Sequence, residues 1–236
     1  MEKTPELFDQ FAKSYNEGLR EAVKLSGFEP DYFHEYKPRR MRGLLGGAFC
    51  DGNLRLLDFG CGVGSADKYL RKYFPNSTIC ACDVSPESIK AAAAANSGLK
   101  DCHYAVYDLR GLPFENGFDV IFVAGVFHHI PRQQQLETLK LLRAALNENG
   151  NLFIFELNPL NPATMYVAIT NDYRFDKNSK LLSCLYAKSL CRAAGFAAST
   201  VRFSIFFPAF LKRFVFLEKY LAWLPIGAHY FIAARK

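Results

Sequence analysis

The sequence lacks several features that would assign it to whole classes of protein. It has no uninterrupted apolar run near the roughly 20 residues of a membrane-spanning helix, and residues 1–5 do not begin a signal peptide. It also has no Gly-x-Gly-x-x-Gly turn of the dinucleotide-binding type and no Cys-x-x-Cys pair. We therefore expect a cytoplasmic protein that has no membrane span, no bound dinucleotide and no metal site.

The cysteines show no pattern of a disulfide framework. Seven are scattered between Cys50 and Cys191, which is typical of a reducing compartment. Cys80 and Cys82 would face the same side of a strand, where they serve as small hydrophobic residues. A chain of 236 residues, of which 50% are hydrophobic and 15% aromatic, is long enough for one α/β domain with a substantial core.

Basic residues are concentrated at one end of the chain. The net charge is +6, and residues 160–236 carry eleven basic and three acidic groups. This excess favours an anionic substrate, a membrane surface, nucleic acid or simply a solvated basic surface near the last third of the chain. Residues 31–40 mix aromatic rings and cations, and this segment could line a pocket or face water.

A glycine-rich turn at residues 56–65 organises the rest of the chain. A short apolar run indicates a buried parallel strand, and glycines at every second position from Gly60 allow a ligand to approach the backbone closely. Asp58, two residues before the first glycine, would repel a pyrophosphate but suits a cofactor that carries an ammonium and a sulfonium. The turn therefore predicts a pocket for a cationic nucleoside.

Strands and helices alternate on both sides of this turn. Further strands are predicted over residues 77–82, 103–107, 118–123 and 151–156, with helices over 66–73, 86–95 and 132–147. Such alternation predicts a doubly wound parallel sheet with right-handed crossovers. Asp83 ends the second strand, where a carboxylate can accept both ribose hydroxyls of a nucleoside; capping of the following helix is the alternative.

Several spaced motifs together resemble a known family. The turn Asp58-x-Gly60-x-Gly62-x-Gly64 and the sequence Phe-His-His-Ile-Pro at residues 127–131 resemble class I S-adenosylmethionine-dependent methyltransferases of the ubiquinone and menaquinone type, in the type 11 and 12 group. The resemblance covers residues 56–156 firmly and the two ends loosely. It implies a Rossmann-like α/β fold with seven strands, the last of which is antiparallel and lies between the fifth and sixth. It also implies an N-terminal helical lid over residues 1–50, a methyltransferase domain over 51–236 and a helical insertion before the last strand.

The same resemblance implies S-adenosyl-L-methionine as the cofactor. Tyr15 lies in a predicted helix over residues 4–26 that is similar to the lid of small-molecule methyltransferases, although an ordinary amphipathic helix is the alternative. Asp108 would hydrogen-bond the adenine amino group, and the backbone of Leu109 would contact the ring. The predicted cofactor-binding residues are Tyr15, Asp58, Gly60, Cys61, Gly62, Gly64, Asp83, Val84, Tyr107, Asp108, Leu109, Ala124 and Gly125.

Candidate catalytic residues follow the fourth and fifth strands. His128 and His129 lie where a side chain could remove a proton from an acceptor, and Glu156 is a second candidate base. A structural role for the two histidines at a helix start is the alternative.

The loop after the fifth strand is a candidate substrate-binding segment. It contains two Asn-Pro pairs, in which each proline restrains the asparagine before it to an extended conformation. It resembles a branch of class I methyltransferases with Glu-His-Asn-Pro at this point, but Leu157 replaces the histidine here. A rigid turn is the alternative. The predicted substrate-binding residues are Asn158, Tyr166, Tyr173 and Arg174, with Asp176 nearby.

The segment 208–225 is apolar nearly all round and carries a few cations, including Lys212, Arg213 and Lys219. As a helix it would cap the substrate cleft or lie in a membrane interface.

We expect methyl transfer to a small-molecule or lipid-linked acceptor. The absence of an Asn/Asp-Pro-Pro-Tyr/Phe motif after the fourth strand argues against methylation of nucleic-acid bases. RNA methylation through the basic last third and a non-catalytic cofactor-binding scaffold remain alternatives, and oligomeric state is not predicted.

Overall fold

A computed structural model describes Asp9 and residues 15–170 and 181–236. Its seven strands form one sheet in the order β3-β2-β1-β4-β5-β7-β6. The strands are β1 (Arg55–Phe59), β2 (Thr78–Asp83), β3 (Cys102–Val106), β4 (Phe118–Ala124), β5 (Leu146–Leu157), β6 (Ala198–Ser204) and β7 (His229–Arg235). β7 is antiparallel to β5 and β6, whereas the other neighbouring pairs are parallel. The predicted Rossmann-like layout is confirmed.

Helices cover both faces of this sheet. The α-helices are α1 (Tyr15–Val23), α2 (Pro30–Leu45), α3 (Gly47–Cys50), α4 (Asp67–Tyr73), α5 (Pro86–Ala95), α6 (Arg132–Ala145), α7 (Pro162–Thr170), α8 (Cys184–Ala193) and α9 (Glu218–Leu221). Three 3-10 helices are Lys24–Ser26, Phe127–His129 and Ala209–Leu217. Within the described ranges, no helix is both long enough and apolar enough to cross a membrane.

The central strands explain where the core lies. β1 and β4 are buried on both faces, so successive apolar residues enter different halves of the core. Leu57 and Ile121 pack with α6 and α8 on one side, while Leu56 and Val120 pack with α2 and α4 on the other. The carboxyl ends of the parallel strands are left open between these layers, which is where such sheets bind ligands.

The bounds of some elements depend on local capping and strand pairing. α6 ends at Ala145 because Leu146 is extended (φ −73°, ψ 148°) and pairs with Phe118 of β4. α8 begins at Cys184, because the side chain of Ser183 caps it by accepting a hydrogen bond from the Tyr186 N–H. Of the predicted helix over residues 4–26, the part before α1 lies outside the described residues, apart from Asp9.

The prediction of one helix over residues 208–225 is wrong. The segment is a 3-10 helix with non-helical angles at Leu211 (φ −104°, ψ 18°), followed by the single turn α9. The buried carboxylate of Glu218 accepts hydrogen bonds from the Phe206 N–H at 2.9 Å and from Arg40 at 2.9 Å. These contacts hold the end of the segment against α2 and the chain after β6.

Candidate cofactor and acceptor site

The glycine turn after β1 folds over the end of β2. The N–H groups of Gly60 and Cys61 both donate to the carbonyl of Cys82, at 2.8 and 3.0 Å. Gly60 has φ +78°, and a Cβ atom there would lie 2.4 Å from Cγ2 of Val126, so only glycine fits. Gly62 has φ +54°, and no atom lies within 4 Å of its Cβ direction. This glycine therefore borders open space that a ligand can fill.

Asp83 lies beside that open space. Its Oδ2 accepts the Gly62 N–H at 2.9 Å and its Oδ1 accepts the Ser85 N–H at 2.9 Å. Burial raises the pKa of this carboxyl, while the backbone hydrogen bonds oppose that shift. Each carboxylate oxygen keeps a further lone pair that can accept a ligand hydroxyl. The cap of α5 is Ser85, whose hydroxyl accepts the Ser88 N–H at 3.0 Å.

Asp58 lies beneath the turn instead of in the open space. Asp58 is 2% exposed and lies close to the buried carboxyl of Asp67. Burial and the neighbouring Asp67 raise the pKa of Asp58, and burial raises the pKa of Asp67 to about 6. Tyr104 donates a hydrogen bond to Asp67 at 2.7 Å. The geometry therefore supports a role for Asp58 in holding the turn. Its direct contact with a cofactor stays a prediction.

The residues after β3 form a third side of the cofactor region. Tyr107 donates its N–H to the Asp83 carbonyl at 2.8 Å, and its ring packs edge-on against Phe59 at 5.2 Å. Asp108 is exposed and accepts the Arg110 N–H at 3.0 Å. Leu109 is 62% exposed and has φ +67°. Both side chains are therefore accessible to a ligand at the edge of the sheet.

The N-terminal segment reaches the same region. The Ser85 hydroxyl lies 2.5 Å from Oδ1 of Asp9, and the Glu87 N–H donates to that oxygen at 3.2 Å. Asp9 thus connects the N-terminal segment to Ser85, which lies two residues after Asp83. Tyr15 begins α1, but its side chain lies outside the part of the chain that the structure describes.

The carboxyl ends of β4 and β5 hold a histidine and a carboxylate in contact. Nδ1 of His128 lies 2.6 Å from Oε2 of Glu156, and Oε1 of Glu156 accepts the Phe127 N–H at 2.9 Å. Both side chains are buried. The ring of His129 lies 4.0 Å from that of His128, measured between centroids. The structure thus brings all three predicted catalytic residues together.

These side chains line a cavity of about 630 Å³. Ala124, Gly125 and Glu156 lie along it, next to the cofactor turn, since Gly60 packs on Val126. Cavities of this size hold ligands of drug-like dimensions. The remaining walls are largely apolar and come from the N-terminal helices, α7, the segment after β6 and β7: Leu19, Val23, Leu25, Phe33, Val167, Ala168, Ile205, Phe206, Phe207 and Phe210.

Polar residues of the cavity that the sequence reasoning missed come from α2, β7 and the Asn-Pro loop. Lys37 and His34 lie one helical turn apart on α2, and His229 begins β7 and hydrogen-bonds the Tyr36 hydroxyl through Nδ1 at 2.9 Å. Asn161 also lines the cavity. The only available signal was the mixture of rings and cations in residues 31–40.

The two predicted substrate-binding residues that the structure describes, Asn158 and Tyr166, do not line the cavity. Asn158 is fully buried, and its Nδ2 donates to the carbonyls of Pro225 and Gly227 at 3.1 and 2.8 Å. Tyr166 is 61% exposed and lies outside the cavity lining. Tyr173 and Arg174 lie outside the described residues. The amides of the Asn-Pro loop are held in place by β7 and the chain before it, so Asn158 fits the rigid-turn alternative.

The chain resembles known methyltransferases in sequence and in fold. Residues 57–152 match a family model described as a methyltransferase domain. Malonyl-[acyl-carrier protein] O-methyltransferase of Bacillus cereus is 33% identical over 84 residues, or 36% of this chain and 31% of that protein. Trans-aconitate 2-methyltransferase of Escherichia coli is 32% identical over 97 residues, or 41% of this chain and 36% of that protein. The matched regions thus span about a third of each relative.

A solved structure extends the likeness to most of the chain. A SAM-dependent methyltransferase from Aquifex aeolicus has a TM-score of 0.62 with 18% identity, and the match covers 92% of this chain and 97% of that one. The turn around Gly62 and the carboxylate of Asp83 offer the open space and hydroxyl acceptors that an adenosyl group needs. Residues 57–152 thus resemble a methyltransferase domain, and the chain has the fold of a SAM-dependent methyltransferase.

Proposed function

We propose that this protein transfers a methyl group to a small-molecule acceptor with a largely apolar body. One observation carries the proposal: the 630 Å³ cavity is lined by Gly125 and by the His128–Glu156 pair, at the edge of the sheet where the glycine turn lies. An acceptor in this cavity would therefore lie next to the cofactor. Its apolar walls favour an acceptor with an apolar body over a strongly polar polymer.

The chain's own residues would position the acceptor and move its proton. S-adenosylmethionine supplies, when bound, a methyl group that a positively charged sulfur already activates. Glu156 holds His128 through Nδ1, which makes Nε2 the ring atom that can take a proton from an acceptor hydroxyl or amine. Apolar walls exclude water from the site and hold the acceptor in place, and such positioning supplies much of the rate enhancement in bimolecular reactions.

We further propose that residues 1–50 act as a lid on this domain. The contact of Asp9 with Ser85 supports this role, because it attaches the N-terminal segment next to Asp83. Leu19, Ala22 and Val23 of α1 line the cavity, so the same segment borders both the cofactor region and the acceptor region. Removal of residues 1–14 is expected to weaken cofactor binding.

The test is a transfer assay with the full chain and methyl-labelled S-adenosylmethionine. Pools of small apolar alcohols, amines and acids are incubated with the protein, and formation of S-adenosylhomocysteine is measured. We expect acceptor-dependent turnover that Asp83→Ala abolishes. Binding of S-adenosylhomocysteine without turnover in any pool would favour the non-catalytic scaffold. Turnover with RNA alone, together with steeply salt-dependent RNA binding, would favour the nucleic-acid alternative.

A further inference from the structure

Lys37 places a cation against the wall of an apolar cavity. It projects from α2, it is partly buried, and it lines the cavity together with Phe33 and His34 from the preceding turn of the same helix. Among the described residues, no carboxylate hydrogen-bonds or ion-pairs with its ammonium group. Other lysines of this region behave differently: Lys68 and Lys72 pair with Asp31 and Glu35, which α2 also supplies.

The groups around Lys37 do not neutralise it. Burial lowers its pKa to about 8, and the more distant carboxyls of Glu156 and Asp58 oppose that shift. Glu156 is already bonded to His128 and to the Phe127 N–H, and burial beside Asp67 raises the pKa of Asp58. His34 and His229 stay neutral near Lys37, because burial and the lysine charge lower the pKa of each to about 3. The ammonium thus faces the cavity as a cation without a bonded counter-ion.

We propose that Lys37 binds a carboxylate of the acceptor, and that the acceptor is therefore an apolar carboxylic acid. An unpaired cation in an apolar cavity is unfavourable, and an anionic ligand that brings its own apolar body removes this cost while filling the cavity. His34 and His229 are further polar groups that line the same cavity. This inference rests on the proposed acceptor role of the cavity and specifies its substrate class.

The test measures binding without turnover, so that it is independent of the proposed methyl transfer. Decanoate and decan-1-ol, each below its aggregation limit, are titrated into the full chain at pH 7 in a calorimeter. We expect decanoate to bind about tenfold or more tightly than the alcohol, since a hydrogen bond to a charged group is worth this factor. Lys37→Met should remove the preference, whereas Lys37→Arg and the exposed-site control Lys90→Met should retain it. Ala168→Trp, which fills the cavity, should abolish binding of both probes.

Two outcomes would overturn the inference. The first is equal affinity of the unmodified chain for decanoate and decan-1-ol. The second is a Lys37→Met variant that keeps its preference for decanoate. A loss of affinity for S-adenosylhomocysteine of about tenfold or more in that variant would then assign Lys37 to the carboxylate of the cofactor. Thermal denaturation of each variant confirms that it is folded. Failure of the transfer assay with normal decanoate binding would instead contradict the proposed function alone.

Discussion

Nδ1 of His128 lies 2.6 Å from Oε2 of Glu156, and this buried pair joins the carboxyl ends of β4 and β5 at the wall of the cavity. The same carboxylate accepts the N–H of Phe127, so it fixes both the backbone and the ring of the 3-10 helix Phe127–His129. A histidine held in this way has one defined orientation, which is what a general base requires.

Substitution of His128 is expected to separate base catalysis from structural support. His128→Asn should lower kcat about 100-fold or more, because proton transfer by a positioned side chain contributes this much. Glu156→Gln should lower kcat less, since the His128 ring would remain but would lose its contact with the Glu156 carboxylate. His129→Asn is the matched control. Full turnover in both histidine variants would assign proton transfer to another group.

Loss of the Asp83 carboxylate is expected to weaken cofactor binding. Asp83→Ala removes the carboxylate that accepts the Gly62 N–H and that we expect to accept the ribose hydroxyls of the cofactor. Affinity for S-adenosylhomocysteine should therefore fall about 100-fold. Asp108→Ala, at an exposed carboxylate bonded only to Arg110 among the described residues, should have a much smaller effect. Calorimetry measures both. Equal affinity in Asp83→Ala and the unmodified chain would remove Asp83 from the site.

Two glycines of the same turn should respond differently to alanine. Gly60→Ala should lower the free energy of unfolding by about 2 to 4 kcal/mol, because its methyl group would collide with Val126 in a left-handed backbone conformation. Gly62→Ala should lower it by only about 1 to 2 kcal/mol, which is the cost of the positive φ alone. The Gly62 methyl group would nevertheless enter the open space and impair cofactor binding. Urea denaturation and calorimetry separate the two effects.

Stability should decrease as the pH falls below about 6.5. His34 and His229 are neutral in the fold with pKa values of about 3, whereas an unfolded chain binds protons at histidine near pH 6.5. Between these values the unfolded state binds more protons, so each histidine lowers the free energy of unfolding by up to about 1.4 kcal/mol per pH unit as the pH falls.

The Asp58–Asp67 pair acts in the opposite direction. Its pKa values are raised in the fold, to about 6 for Asp67, so protonation of the folded state increases stability as the pH falls below that value. A comparison of variants isolates the histidine contribution. Urea denaturation at pH 7.5 and 5.5 should show a shallower pH dependence for His229→Gln than for the unmodified chain. Identical dependence would mean that His229 titrates in the fold.

The segment 208–225 is expected to contact anionic membranes. Phe210 is 81% exposed at the edge of the cavity and Trp223 is 67% exposed, and the cations Lys212, Arg213 and Lys219 accompany them. Exposed aromatic residues and cations together favour an anionic lipid interface. We expect flotation with phosphatidylglycerol-containing vesicles to decrease with added salt and in the Phe210→Ser, Trp223→Ser variant. Absence of flotation would leave the segment as a cap over the cavity.

The sequence by itself determined the elements whose signals are local. Apolar runs that end in an acid or a glycine specified β1, β2 and β4, and the alternating glycines permitted the positive φ found at Gly60 and Gly62. The family resemblance then supplied the seven strands and the antiparallel β7 between β5 and β6. His128 and Glu156 were identified as candidates because both follow strand ends, which meet at one edge of a parallel sheet.

Only the tertiary structure decided the environments of individual side chains. Lys37 and His229 are separated by 192 positions in the sequence, and packing of α2 against β7 brings them to one cavity. Likewise, the buried position of Glu218 depends on its bond to Arg40, and the role of Asn158 depends on the carbonyls of Pro225 and Gly227. Burial, charge and hydrogen bonding at these positions arise from long-range contacts, which a local pattern does not encode. The sequence therefore specified the cofactor region, and the fold specified the chemistry of the acceptor cavity.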